Sequence, residues 1–374
     1  MKKIIGIYQV MLPYRVGTYE RISRLSGYEF ELLHGKTSQG TKKKNYEGTV
    51  SFNHSVIWCF YIPFKTNNSS STLQIAPFLF FSLIRKSPDI IFCEGVSNIF
   101  NASIAFIYAK LFRKKIIWWS LGSLYNRTYK GVRLYLQYWI DFVERRVDAI
   151  FTYSTQGENY FLSKSISKNK IFKGINVIDT DKRLNEISHL RYLEKRSGFN
   201  IVFVGAIIKE KKIEILLEAA DRLSFLYKDV YLHIIGDGDY VSEVKKYASQ
   251  KKYLNVEFYG NIYEKLSSFL LQFHVLVLPG LGGLAIADGM IHSLPVISGI
   301  ADGTELDLIN DECGFVTRDM NPDYLFNKLK LLYEHPDLVK TMGEAAFCRI
   351  TGKYSINHYM YNLDKCFYYV SNKK

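Results

Sequence analysis

The 374-residue chain lacks a bilayer-spanning apolar run, a cysteine framework and a cluster of metal-ligating side chains. Each absence excludes a class of protein. A spanning helix needs about 20 consecutive apolar residues, and the nearest stretch, 90–112, is interrupted by Glu94, Asn98 and Asn101. The five cysteines (Cys59, Cys93, Cys313, Cys348 and Cys366) are dispersed, with no C-x-x-C pair. Such an odd, scattered set argues for a reducing compartment and against disulfides or a structural zinc. No histidine stands at metal-ligand spacing, and none of the eight, His34 and His54 among them, is given a role. The start, MKKIIGIYQVMLPYR, has the lysines and apolar stretch of a signal peptide. It is broken by Gln9, has no small-residue cleavage site and runs into Pro13, so it reads as a first buried strand. There is no internal repeat and no low-complexity tract. These absences together predict a cytoplasmic protein without a membrane span.

Acidic residues are scarce in one half only. Residues 1–190 carry 27 basic and 13 acidic side chains, a net charge of +14, whereas 191–374 carry 22 and 23, a net −1. A basic half joined to a neutral one points to an anionic partner for the first: nucleic acid, an acidic membrane surface or a phosphorylated substrate. Solubility alone is the plain alternative. No nucleic-acid-binding module or aromatic–basic signature is present, which argues against nucleic acid.

Short apolar runs alternate with helical patterns throughout. The first half has candidate strands at 3–10, 56–61, 90–93, 115–119 and 149–153, and helices at 18–25, 72–85, 99–112 and 131–146. The second repeats the scheme, with strands at 201–204, 230–235, 255–258, 274–278 and 295–297, and helices at 212–226, 240–251, 263–272, 284–292 and 322–333. Alternation of this kind implies right-handed crossovers and parallel sheets. The prediction is an α/β chain of two doubly wound domains, 1–180 and 181–345, followed by a helical segment, 346–374, packing back on the first. The lysine-rich stretch 35–48 reads as an exposed loop, and the polar span 179–200 as the boundary. Ligands bind such sheets at the carboxyl ends of their strands, so a cleft between the two domains is expected.

Three constellations fall where strands meet helices. In VFVGAIIKEKKIEILLEAA (202–220) a strand ends at Gly205, a turn carries Lys209, Lys211 and Lys212, and a helix follows. Glycine admits a ligand to the backbone and lysine supplies charge for phosphate; a solvated charged turn is the alternative. In IIGDGDY (234–240), Gly236 and Gly238 follow a strand, as a plain tight turn also would. In LVLPGLGGLAIADGMIHSLPVISG (276–299) a strand runs through Pro279 into Gly280, Gly282 and Gly283 before a helix starts near Leu284. Such a loop offers bare amides to an anion, and Asp288 lies one turn further on.

From Gly205 to Ala301 the sequence resembles the nucleotide-sugar-binding domain of the family 4 glycosyltransferases, retaining enzymes of the GT-B fold. Gly205, Lys211, Leu216, Glu218 and Ala219 match that domain's G-R-L-x-x-x-K-G-x-x-x-L-x-E-A opening. Gly283, Leu284, Asp288, Met290 and Pro295-Val296-Ile297 match its later P-x-x-x-E-G-F-G-L-x-x-x-E-A-M-A-x-G-x-P-V-I. Gly236-x-Gly238, Val256-x-Phe258-x-Gly260 and Asn176-Val177-Ile178-Asp179 match further elements. The resemblance implies a donor diphosphate held by Gly17, Gly205, Lys209, Lys211, Gly283 and Leu284. Lys211 and Asp288 carry the chemistry, with Asp288, Gly236, Gly260 and Ile262 at the ribose and nucleobase. It also implies a UDP- or GDP-linked sugar as substrate, no cofactor and no metal. Glu94, Ser120 and Asn126 face the acceptor.

Three positions depart from the family pattern. Ala206 replaces the arginine that shares the diphosphate, Gly280 replaces the first glutamate of the E-x7-E pair, and the histidine usual after the fourth strand is missing from Ile116–Gly122. A catalytically silent GT-B protein supporting another transferase is therefore the alternative to an active hexosyltransferase of capsule, O-antigen or exopolysaccharide synthesis. The clusters Lys42-Lys43-Lys44, Arg113-Lys114-Lys115 and Arg145-Arg146, with Phe78, Phe80, Phe81 and Trp118, suit an anionic inner-membrane surface and a lipid-linked or glycan acceptor. The expectation is a protein peripheral on the cytoplasmic face of a bacterial membrane.

Overall fold

The structure, a computed structural model, describes residues 1–36, 45–66, 69–122, 132–190, 192–262 and 265–373. The chain divides into two compact units, Met1–Ile175 with Asn357–Lys374, and Asn176–Ile356.

In the first unit the strands are β1 (Lys2–Tyr8), β2 (Tyr28–His34), β3 (Asn53–Val56), β4 (Phe60–Thr66), β5 (Ser69–Ile75), β6 (Ile90–Glu94), β7 (Lys115–Ser120), β8 (Ala149–Thr152) and β9 (Ile171–Lys173). The helices are α1 (Val16–Ser23), α2 (Leu79–Lys86), α3 (Ile99–Leu111), α4 (Val132–Arg146) and α5 (Thr155–Ser163). Seven strands form a sheet in the order β3-β2-β1-β6-β7-β8-β9, its pairs parallel. Side chains alternate between its faces. Ile5, Ile7, Cys93, Trp118 and Ile150 meet Leu83, Phe106 and Val143 of α2–α4 in one core. Opposite them, Phe92 stacks with Trp119, its ring centroid 5.1 Å away.

The second unit contains α6 (Thr180–Ser188), β10 (Phe199–Val204), α7 (Ile213–Leu226), β11 (Val230–Ile235), α8 (Val241–Ser249), β12 (Val256–Gly260), α9 (Leu266–Leu270), β13 (Val275–Leu278), α10 (Ala285–Ile291), β14 (Val296–Gly299), α11 (Thr304–Leu308), β15 (Gly314–Thr317), α12 (Pro322–Glu334) and α13 (Pro336–Gly352). Its sheet order is β12-β11-β10-β13-β14-β15, again parallel. The central strands are buried along their length, as strands covered on both faces must be. The last helix, α14 (Ile356–Asn372), lies on the first unit. There Phe367 meets Tyr28 and Phe92, both at 5.6 Å, and Tyr359 meets Phe151 at 5.3 Å.

Local differences from the sequence reading have physical causes. The helix expected at 72–85 begins only at Leu79, because residues up to Ile75 pair antiparallel with β4 and Pro77 separates the two. The run 56–61 is divided between β3 and β4. The polar span 179–200 is no bare linker: Asp179 caps α6 by accepting from the Lys182 amide at 3.2 Å. Residues 176–179 open the second unit rather than close the first, and α13 stays with the second, so the returning segment begins at Asn357 instead of 346. Trp118, read as a surface aromatic, is fully buried because it faces the core shared with α2–α4.

Candidate functional site

In each sheet the strand order reverses once, between β1 and β6 and between β10 and β13. Loops diverge at such a switch point and leave a crevice at the strands' carboxyl ends. In the second unit that position holds two of the three motifs singled out by sequence, those ending β10 and β13.

Three adjacent strands end in glycine there. Gly205, Gly236 and Gly260 have φ of +147°, +142° and +66°, values that L side chains rarely adopt. The Gly205 amide donates to Ile235 O at 3.0 Å and the Gly236 amide to Gly260 O at 2.8 Å. A Cβ on Gly236 would lie 1.8 Å from Gly205 O, so the strand ends pack backbone to backbone. Ile262, expected at the nucleobase, follows two positions later and its carbonyl accepts from the Lys265 amide at 2.8 Å.

Beyond Gly205 the Lys209–Lys211 turn docks on the glycine-rich loop. The Leu281 amide donates to Glu210 O at 3.4 Å, and Lys211 Nζ donates to the carbonyls of Leu281 and Gly282, the latter at 3.4 Å. Burial pushes the Lys211 ammonium down to about 8 against the pull of Glu305 and Asp302. A half-buried cation hydrogen-bonded to carbonyls is poised for an anion, which would stabilise its charged form. Gly283 follows at φ +68°, with open space where a Cβ would be, and Leu284 precedes α10. Lys209, on the same turn, is exposed.

The structure explains the glycine at 280. A Cβ there would lie 2.1 Å from Glu210 O and 2.8 Å from the Lys211 backbone, so no glutamate fits while the turn keeps its place. A carboxylate that sequence reasoning missed stands nearby. Glu305, in α11, is fully buried; one oxygen accepts from the Gly303 amide at 3.1 Å and Oε1 has no hydrogen-bond partner. Burial, then neighbouring Asp302, push its carboxyl up to about 7. A Cβ on Gly282 would lie 3.3 Å from Oε1, so the side chain is directed at the glycine loop. A glutamate in the unremarkable stretch Asp302-Gly303-Thr304-Glu305 gives no signal in a single sequence.

Asp288 is buried, and its Oδ1 accepts from Arg183 Nε at 2.8 Å. Arg183 also meets Glu186 at 2.6 Å, and Glu186 accepts from Ser267 Oγ at 2.9 Å. Burial raises the Asp288 carboxyl and Arg183 opposes that rise. The side chain expected at the ribose is therefore already engaged in an ion pair.

The first unit's switch point is of a different kind. Gly17 is not in a loop but is the second residue of α1. Its neighbour Arg15, given no role by sequence, is buried, with its guanidinium 4.7 Å from the Trp119 ring and 5.6 and 5.8 Å from those of Tyr14 and Tyr153. Burial works against its charge, but Tyr8 and the surrounding tyrosines keep it protonated. Glu94 ends β6 in the same cluster, where burial, and after it Glu94, raise Tyr8 and Tyr153. Arg15 Nε, Tyr19 OH, Glu94 Oε2, Asn98 Nδ2 and Trp119 Nε1 are buried without hydrogen-bond partners. Ser120 is instead spent locally, accepting from the Gly122 amide at 3.1 Å. Asn126 and the Lys42-Lys43-Lys44 cluster lie outside the described residues.

Comparison with known proteins follows this geometry. Residues 188–348 match the family model described as Glycosyl transferases group 1. An uncharacterized glycosyltransferase of Methanocaldococcus jannaschii is 28% identical over 147 residues, 38% of this chain and 40% of its own length. D-rhamnosyltransferase WbpZ of Pseudomonas aeruginosa is 28% identical over 163 residues, 42% of each. The chain thus spans about two-fifths of the length of these curated relatives. Anabaena HepE, solved in complex with UDP-glucose, aligns over 100% of both chains with a TM-score of 0.69 at 14% identity. The fold is the expected one: GT-B, with two Rossmann-like parallel-sheet units.

Proposed function

We propose that this chain, whose residues 188–348 match the family model described as Glycosyl transferases group 1, moves a hexosyl group from a nucleotide sugar to a glycan or lipid-linked acceptor with retention at the anomeric carbon. The observation that carries the reading is Lys211, half-buried at the switch point and hydrogen-bonded to carbonyls of the glycine-rich loop, with burial pushing its ammonium down. A leaving nucleoside diphosphate is such an anion, and stabilising charge that develops on a leaving group is often the largest catalytic term.

In this reading the acceptor hydroxyl attacks the face that the diphosphate vacates. Glu305 orients the donor sugar in place of the glutamate that position 280 cannot carry, and Asp288, paired with Arg183, serves the ribose. Arg15 and Glu94 hold the acceptor, whose hydroxyls would satisfy the orphaned polar atoms around them. No metal is required of these residues. A UDP-linked donor is favoured because HepE is solved with UDP-glucose. Work on bacterial surface polysaccharide at the cytoplasmic face of the membrane follows from the basic first half, and the rhamnosyltransferase relative is compatible with it.

The second reading, a silent nucleotide-sugar binder, is favoured by the steric exclusion of a glutamate at 280. Purified chain is to be screened against UDP- and GDP-sugars for thermal stabilisation, which ligand binding produces by mass action, and then for release of nucleoside diphosphate. Stabilisation with turnover supports the transferase and stabilisation without turnover the silent binder. No shift with any nucleotide sugar overturns both.

A further inference from the structure

Helices that cover a sheet normally turn polar residues outward. On the first unit α2, α3 and α4 cover one face of the sheet and do the opposite. The α2 side chains Leu79 and Leu83 face the core, while Phe78 and Phe81 stand outward, 59% and 66% exposed. Along α3, Phe100, Ile107 and Leu111 recur at helical spacing on the outer side. Along α4, Tyr135, Tyr138 and Phe142 do the same. The rings join these stripes: Trp58 meets Phe78 at 5.9 Å, Phe80 bridges Phe81 and Phe112 at 6.2 Å each, and Phe106 meets Phe142 at 6.2 Å. Of the 26 exposed large apolar side chains among the described residues, 15 fall between Val56 and Phe142. Exposed apolar side chains clustered in this way mark an interaction site.

Charge identifies the occupant. Residues 48–140 contain ten basic side chains and only two acidic ones, Asp89 and Glu94. Asp89 Oδ2 accepts from the Lys3 amide at 2.9 Å, and Glu94 is buried. The acids of α4 are neutralised: Asp141, half-buried, and Glu144, fully buried, both bind Lys164, Glu144 at 3.1 Å. Exposed bases remain at the helix ends: Arg85 on α2, Lys110 and Arg113 at the close of α3, and Arg145 and Arg146 on α4. An aromatic face edged with exposed bases, its few acids paired or buried, suits the headgroup–acyl boundary of an anionic bilayer. No described helix is long and apolar enough to cross one.

We infer that the outer face of α2, α3 and α4, with Trp58, is the surface on which this chain docks to anionic phospholipid, lying in the interface rather than spanning it. The inference deepens the reading of the chain as a transferase at a membrane and gives that reading a location.

The test is co-sedimentation of the full chain with vesicles of phosphatidylcholine alone or with about 30% phosphatidylglycerol, where each basic residue near the surface adds measurably to binding. Wild-type protein is expected to bind the anionic vesicles at least about tenfold better, and less so as salt rises. Phe81→Ser with Leu111→Ser, and separately Arg145→Glu with Arg146→Glu, should each weaken binding by about tenfold or more. Their circular dichroism and nucleoside-diphosphate release in solution should stay unchanged. Lys211→Ala should bind vesicles as wild type does, so failure of the sugar-transfer reading would leave this result intact. Wild-type protein left in the supernatant at low salt overturns the inference. So does a dimer in sedimentation velocity that Phe81→Ser with Leu111→Ser dissociates, since a second copy would then cover the face.

Discussion

The two switch points of this chain are wired in opposite ways. In the second unit the site is largely tied together, Glu305 Oε1 excepted: strand-end glycines bond to one another, Lys211 rests on two carbonyls, and Asp288 is paired with Arg183. In the first unit Arg15 sits among aromatic faces while buried oxygens and nitrogens around it go unpaired. A pre-wired site suits a ligand whose phosphates it meets in fixed geometry. An unsatisfied one is built so that the ligand supplies the missing bonds. Substitutions should therefore cost stability in the second unit and binding in the first.

The largest effect is expected at Arg183. Arg183→Ala leaves the buried Asp288 carboxylate uncompensated, a situation that costs about 3–5 kcal/mol. Urea unfolding should show this loss, and a change below about 1 kcal/mol would mean that Asp288 had become neutral or hydrated and that the wiring matters little. Next comes Lys211→Ala, with kcat/KM expected to fall by about 10²–10³, the usual cost of losing one donor to developing charge. Near-normal turnover would remove Lys211 from the donor site. Gly280→Glu is the sharper variant, since it restores the residue the family pattern carries. It should lower stability by about 1–3 kcal/mol by pushing the 209–211 turn off its place. Nucleoside-diphosphate release should drop with it. A gain in activity would show that the turn yields easily.

The same contrast explains what could be read from the sequence. The second unit's site is made of backbone, so its instructions are local and compositional: glycines at 205, 236, 280 and 283 and a lysine at a fixed offset from the first. Those residues stand together in the structure. Glu305 escaped because a single glutamate in a short loop has no pattern to betray its burial. The first unit's cluster joins Tyr8, Arg15, Glu94, Trp119, Tyr153 and Tyr359, side chains from six separate stretches that only the fold brings near each other. Glu94 falls at the end of a recognisable strand, whereas nothing around Arg15 in the sequence marks it as buried. The alternation of apolar runs carried the two-sheet architecture. The hairpin of β4 and β5 was lost inside a helical periodicity that continues past Pro77.

Arg15→Met tests the first unit from the other side. It removes a buried charge and keeps a similar apolar volume, so stability should change by less than about 1 kcal/mol or even rise. The acceptor KM should increase by roughly tenfold, as loss of one charged hydrogen bond costs about 1.5 kcal/mol or more. A stability loss comparable to that of Arg183→Ala would show that Arg15 belongs to the framework, and the contrast between the units would fail.

The smallest effect is a pH dependence confined to the donor side. Burial places the Lys211 ammonium at about 8 in the free protein, and a bound diphosphate must raise that value because it favours the charged form. Donor binding therefore takes up a proton once Lys211 has lost its own. The sign follows: donor affinity is level below about pH 8 and falls as pH rises through it, by up to about tenfold per unit. The donor KM should bend upward there while kcat, measured at saturation, moves little. Lys211→Arg should straighten the profile whatever it does to the absolute rate, because a guanidinium stays protonated throughout this range. A donor KM flat to about pH 9.5 in the wild type would mean that Lys211 is charged regardless of ligand, with its proton held by Glu305 and Asp302 rather than awaiting a phosphate.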